Sequence, residues 1–162
     1  MYALRLRPGE ELLSTLKAFC VDRGLASAYV ATCVGSLQKA TIRLANADRH
    51  SPNEIRSYEQ RFEITSLVGT ISRDGGAHVH IGLADAAGAC VGGHLISGEI
   101  FTTAEIVVGT VAGATFVREH DDATGFPELV VVGAREPRRR AGRAALAGFA
   151  LLALAAALRR RR

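Results

Sequence analysis

Ala77-His78-Val79-His80-Ile81-Gly82-Leu83-Ala84-Asp85-Ala86-Ala87-Gly88-Ala89-Cys90-Val91-Gly92-Gly93-His94-Leu95 reads as two extended runs joined by a tight corner. Side chains at i and i+2 of a strand share a face, so His78 and His80 aim their imidazoles the same way. If Ala86-Ala87-Gly88 make a three-residue loop with Gly88 left-handed, Asp85 faces Ala89, and counting back along both strands sets His80 opposite His94. Facing residues of an antiparallel pair lie roughly 5 Å apart at Cβ and diagonal ones about 7 to 8 Å, which lets three imidazoles converge. A four-residue loop would instead slip the register by one and turn His94 to the other face. Gly88 favours the shorter loop.

Three histidines with a fourth position open form a ligand set of catalytic zinc sites, and neutral imidazole also suits iron, nickel and copper. The competing reading is a surface strand with scattered histidines. Gly92-Gly93, just before His94, signals a bulge or a close backbone approach, and a bulge would change the register. Glu99 and Glu105 follow as candidates for a fourth ligand or a proton acceptor for water on the metal, set against a plain solvated carboxylate. His120-Asp121-Asp122 has the composition of a carboxylate-oriented imidazole, set against a turn cap. Cys90 reads as a small buried thiol.

The hairpin His78 to Leu95, the upstream Arg61-Phe62-Glu63-Ile64-Thr65-Ser66-Leu67-Val68-Gly69, the early Gly35-Ser36-Leu37 and the later Glu105-Ile106 together resemble the PPC domain, the plant and prokaryote conserved domain. The likeness covers about residues 3 to 133. It implies an α+β domain, a mostly antiparallel β-sheet with flanking helices, that assembles as a homotrimer. In the plant AT-hook nuclear proteins of that family a separate Arg-Gly-Arg-Pro arm touches DNA. There the domain self-associates and binds partners through a segment matching Gln60 to Thr65, which makes Arg61, Phe62, Glu63 and Ile64 partner-binding candidates. No Arg-Gly-Arg-Pro run occurs here, and the plant versions lack the three histidines. The sequence is similar to the free-standing prokaryotic type, for which metal binding is implied and the activity is undefined.

Composition is consistent with one domain, 1–134, and a tail, 135–162: 162 residues at 48% hydrophobic content suffice for one core and are short for two. The net charge of +4 is unevenly placed. Residues 1–134 hold eleven Lys plus Arg against fifteen Asp plus Glu, a net of −4, whereas 135–162 hold nine Arg against one Glu. An acidic body repels a duplex on average, so nucleic acid is expected to bind only weakly and through the tail. Three cysteines without a CxxC pair imply a reducing compartment. Pro8-Gly9 breaks the N-terminal apolar alternation before a signal core forms, so an intracellular location, cytoplasmic or nuclear and not secreted, is expected.

Pro8-Gly9-Glu10-Glu11 opens a helix whose stripe is Leu12, Leu13, Leu16, Phe19 and Cys20, with Gly24 as its stop. Strands are expected at Tyr29–Val34, Ala40–Ala45, Tyr58–Ile71, the two histidine runs, Glu105–Val111, Thr115–His120 and Leu129–Val132, and a loop at Ala47–Ser57. P-loop, GxGxxG and GxSxG motifs are absent, which withdraws support from nucleotide and serine-hydrolase chemistry. In the tail, Ala144–Leu158 is apolar or glycine throughout and bracketed by arginines. As a helix it would span about 22 Å, short of a bilayer core, leaving a marginal membrane anchor, a helix packed in an oligomer, or a disordered appendage.

The leading expectation is a homotrimeric domain with a divalent metal, zinc foremost, or a small molecule in a pocket on His78, His80 and His94. Catalysis, if any, would run through metal polarisation of a substrate oxygen or activation of water. The alternative is a DNA-associated or regulatory scaffold acting through self-association and partner binding. A third reading is an assembly module whose histidines are unused.

Overall fold

The computed structural model describes residues 1–45, 50 and 53–133. The expectations for the tail, 135–162, therefore lie outside the described residues. Elements run β1 (Tyr2–Leu6), α1 (Leu12–Asp22), β2 (Ser27–Arg43), β3 (Ile55–Tyr58), β4 (Phe62–Ser72), β5 (Ala77–Ala84), β6 (Cys90–Thr110), β7 (Thr115–Asp121) and β8 (Phe126–Val132).

The main sheet has the order β1-β6-β5-β4-β2-β3, every pair antiparallel, and β2 also pairs with β6. That extra pairing closes β6, β5, β4 and β2 into a barrel-like ring, while β7 and β8 make a separate two-stranded sheet. Closure explains why two expectations needed merging. Tyr29–Val34 and Ala40–Arg43 are parts of one strand, β2, which stops before the expected Leu44 and Ala45, and the second histidine run continues through Glu105 as the 21-residue β6. Register shifts along the β2–β6 pairing, among them those between Val30 and Thr32 and between Gly35 and Leu37, bend the pair instead of ending it. Of the expected Ala47–Ser57 loop, residues 47–49, 51 and 52 lie outside the described residues, and its end is corrected, since Ile55–Tyr58 pairs with β2 as an edge strand.

The expectation of flanking helices is overstated: α1 is the single helix among the described residues. Its N-cap is Glu11, whose carboxylate accepts from the backbone N–H groups of Leu13 (3.1 Å), Ser14 (2.6 Å) and, across from β6, Gly98 (2.9 Å). Pro8 and Gly9 form the turn ahead of the helix, with Gly9 N–H donating to the Ile100 carbonyl. Leu12, Leu16 and Cys20 are fully buried in the same core as Leu37, Ile42, Ile71, Leu83, Leu95 and Ile106. Each buried leucine contributes about 1.5–3 kcal/mol, which is how one short helix is held on β6.

β5 alternates strictly. Val79, Ile81 and Leu83 point into the core, and His78 and His80 point out. The outer wall of the barrel is thus where the histidines stand, under the β7–β8 hairpin.

Candidate metal centre

The corner that joins β5 to β6 is the three-residue loop. Asp85 N–H donates to the Ala89 carbonyl at 3.0 Å and Gly88 N–H to the Asp85 carbonyl at 2.9 Å, while the Asp85 carboxylate accepts from Ala87 and Ala89 N–H. Gly88 has φ +76, the left-handed region open to glycine. The ladder follows without a shift: Ala84 faces Cys90, Leu83 Val91, Gly82 Gly92, Ile81 Gly93 and His80 His94. Gly92-Gly93 marks close approach and no bulge, since a Cβ on Gly93 would crowd the Arg43 carbonyl oxygen and one on Gly92 the Ile81 carbonyl oxygen.

The three imidazoles meet. One ring nitrogen from each of His78, His80 and His94 lies within 4.8 Å of the others, and Nε2 of His78 and Nε2 of His80 are 3.1 Å apart. Ring centroids are 5.0, 5.1 and 5.6 Å apart. Tetrahedral zinc with nitrogens at 2.0–2.1 Å sets them about 3.3 Å from each other, so small rotations about the side-chain torsions suffice to close the set. Nδ1 of His94 is buried without a hydrogen-bond partner, a polar atom left for an occupant to satisfy. Burial, followed by the charges of Arg43, His78, His80 and Arg118, pushes His94 down to about 4; burial, then His80 and Arg118, also lowers His78. Both shifts favour neutral imidazole, the form that ligates.

The surroundings come from four strands. One rung of the outer wall runs Val68 on β4, His80 on β5, His94 on β6 and Arg43 on β2. On the neighbouring rung Thr70 faces His78, and Thr70 Oγ1 accepts from Nη2 of Arg118 at 2.8 Å, which ties β7 to the barrel. Gly69 lies between them, and a Cβ there would run into the His78 carbonyl oxygen, so the strands approach closely at the site. From β8, Phe126 stacks under the Arg43 guanidinium at 5.2 Å. Three clefts of about 310, 340 and 450 Å³ open around the triad, and His78 lines them all. Arg118 and Glu128 line two of these clefts and Arg43 lines two. None of these three was singled out in the sequence. Each sits in a run that carries no motif, and only folding brings it to the histidines.

Other candidates are placed elsewhere. Glu99 accepts from Gln38 and pairs with Lys39 at 3.4 Å, and Glu105 is exposed on β6 between Arg5 of β1 and Val34 of β2; neither lines a cleft at the triad. His120 does contact an aspartate, Asp122, at 3.5 Å, but at the exposed end of β7 and outside those clefts. Phe62 and Ile64 are core residues, which leaves Arg61 and Glu63 as the surface of that segment. Arg61 covers the Phe101 ring at 4.1 Å beside a cleft of about 180 Å³. Cys90 is corrected from buried to exposed, because the hairpin carries it past the core to the turn, where its thiol reaches toward the Gly88 carbonyl.

A sequence model of the Plants and Prokaryotes Conserved (PCC) domain, the domain whose likeness the motifs carry, matches residues 1–112. The chain belongs to that family. This PCC-domain chain is similar, at 35% identity and a TM-score of 0.74, to a protein from Salmonella enterica, the alignment covering 83% of this chain and 94% of the other. It is similar at 26% identity and a TM-score of 0.70 to a metal-containing protein from Archaeoglobus fulgidus, over 80% and 91% of the two chains. Over 130 residues it is 42% identical to the Bifunctional protein GlmU of a Synechococcus strain. That match takes in 80% of this chain and 20% of the larger protein, so the PCC-domain chain spans about a fifth of the curated relative. Among the described residues no helix is long and apolar enough to cross a membrane.

Proposed function

We propose that this PCC-domain protein binds a divalent metal ion, zinc first, through His78, His80 and His94, in a pocket that admits a small molecule. The convergence of three ring nitrogens within 4.8 Å of one another carries the reading. The metal-containing relative from Archaeoglobus fulgidus adds support, at the identity given above. When bound in a site with three imidazoles and an open position, such an ion polarises a substrate oxygen or activates water.

The chain's own residues would divide the work. The three histidines hold the ion, Glu128 offers a carboxylate at the mouth for a proton, and Arg118, tethered to Thr70, sets the hairpin over the cluster. The homotrimer implied by the family likeness belongs to the same proposal. Exposed apolar side chains on the outer wall, such as Val34 and Val68, are ones a neighbouring subunit would cover.

Metal content is measured on protein purified without an affinity tag and compared with a triple His78→Ala, His80→Ala, His94→Ala variant. The expected result is metal in the first and none in the second; equal content in both removes the site. Light scattering gives the subunit count, expected at three.

A further inference from the structure

The metal reading leaves one feature of the site unexplained, its positive charge. Arg43 and Arg118 both line the cleft of about 340 Å³ that holds His78 and His94, and Glu128 is the carboxylate in that lining. Within the lining two guanidiniums stand against one carboxylate, Asp74 acts on Arg118 from just outside it, and a divalent ion on neutral imidazoles would add positive charge that these carboxylates do not cover. Uncompensated charge of one sign in a confined, partly desolvated space is costly.

Among the described residues neither arginine is held in an ion pair, although the carboxylates of Glu128 and Asp74 act on Arg118 from a distance. Among the described residues the ion pairs are Lys39 with Glu99, Arg56 with Glu54 and His120 with Asp122, none of which involves them. Arg43 lies over the Phe126 ring, a contact that orients the guanidinium and leaves its edge donors for other partners. Arg118 spends one Nη2 donor on Thr70 and keeps a buried Nε with no partner. A buried guanidinium nitrogen without an acceptor is rare, since such groups are nearly always hydrogen-bonded. Arg43 comes to the triad along the rung it shares with His94, and Arg118 comes through Thr70, which faces His78. The two cations therefore flank the imidazoles from separate strands.

We infer that the pocket takes a small oxyanion, a carboxylate or a phosphate group, held by Arg43 and Arg118 while one of its oxygens fills the open position beside the three histidines. Guanidinium matches both groups through paired N–H donors, and the anion would offset the charge that the histidines and the ion cannot. Glu128 makes the selection finer. It partly compensates Arg118 and disfavours a ligand carrying many negative charges, and the volume suits a molecule of modest size. This inference rests on the metal reading of the same site.

Cobalt(II) gives a test with an optical readout. Full-length protein is loaded with Co²⁺, and its visible absorption is followed while acetate, inorganic phosphate or, as the uncharged counterpart, acetamide is added. Acetate or phosphate is expected to alter the cobalt band and acetamide to leave it unchanged. A variant with Arg43→Gln and Arg118→Gln is expected to keep the band and to need roughly tenfold or more anion for the same response.

No cobalt band in the unmodified protein overturns the metal reading and this inference with it. A band that neither anion changes, that acetamide changes equally, or that responds to anion unaltered in the double variant overturns this inference alone. If the double variant does not fold, the comparison of acetate with acetamide on the unmodified protein decides.

Discussion

His80 faces His94 across the β5–β6 ladder, and the rung they share runs on to Arg43 of β2. The relationship hangs on the Ala86-Ala87-Gly88 corner. Nothing lies within 4 Å of where a side chain on Gly88 would sit, so the demand there is one of backbone conformation alone. Gly88→Val should cost about 1–2 kcal/mol, the penalty of a left-handed backbone for a residue with a Cβ. Urea unfolding measures it; an unchanged midpoint would mean that the loop tolerates another conformation.

Helix α1 gives a pH dependence. Burial raises the Glu11 carboxyl, but the hydrogen bonds from the Ser14, Gly98 and Leu13 region outweigh it, and the net result lies below the ordinary value of 4.5. A depressed carboxyl stabilises the fold above its unfolded pKa and loses that contribution as pH falls through the folded one. Stability should therefore drop below about pH 4.5, and Glu11→Ala should flatten this part of the curve while costing about 1 kcal/mol at neutral pH, as loss of an N-cap does. Denaturant midpoints of the two proteins across pH 3 to 7 are the measurement; parallel curves would remove Glu11 as the source.

Thiol chemistry separates the three cysteines. Cys20 and Cys33 are buried, and burial pushes both thiols up to about 11, whereas Cys90 is exposed at the hairpin turn. A thiolate-selective reagent at pH 8 should label a single cysteine in the folded protein and all three in denaturant. Rapid labelling of a second thiol without denaturant would show that the core opens near α1 or β2.

Charge placement makes a prediction about nucleic acid. With residues 1–134 at a net of −4 and the basic excess in 135–162, a chain ending at residue 134 should not bind duplex DNA, and any binding by the full chain should weaken steeply with salt. Retained, salt-sensitive binding after truncation would put recognition in the domain and favour the scaffold reading.

The triad was legible before folding because every step to it is local. Strand alternation pairs His78 with His80, and one glycine turn brings in His94. The places of Glu99 and Glu105, outside the clefts at the triad, were not legible for a related reason. Their nearness along β6 says nothing about direction once register shifts bend the strand around a barrel, and Glu99 is taken up by Gln38 and Lys39 instead. Phe62 and Ile64 are drawn inward by the same alternation that leaves Arg61 and Glu63 outside.

By itself, the order of residues determined the hairpin, its register, the shared face of three imidazoles and the family. Those depend on φ at one glycine and on a two-residue period, both set within a few positions of the chain. Only the tertiary structure decided that Arg43, Arg118 and Glu128 border the cluster. They arrive from β2, β7 and β8, far apart in sequence, because β2 closes the barrel against β6 and the last hairpin folds back onto β4. Which side chains meet across such closures is fixed by packing the whole core at once, and no short stretch of sequence carries that information.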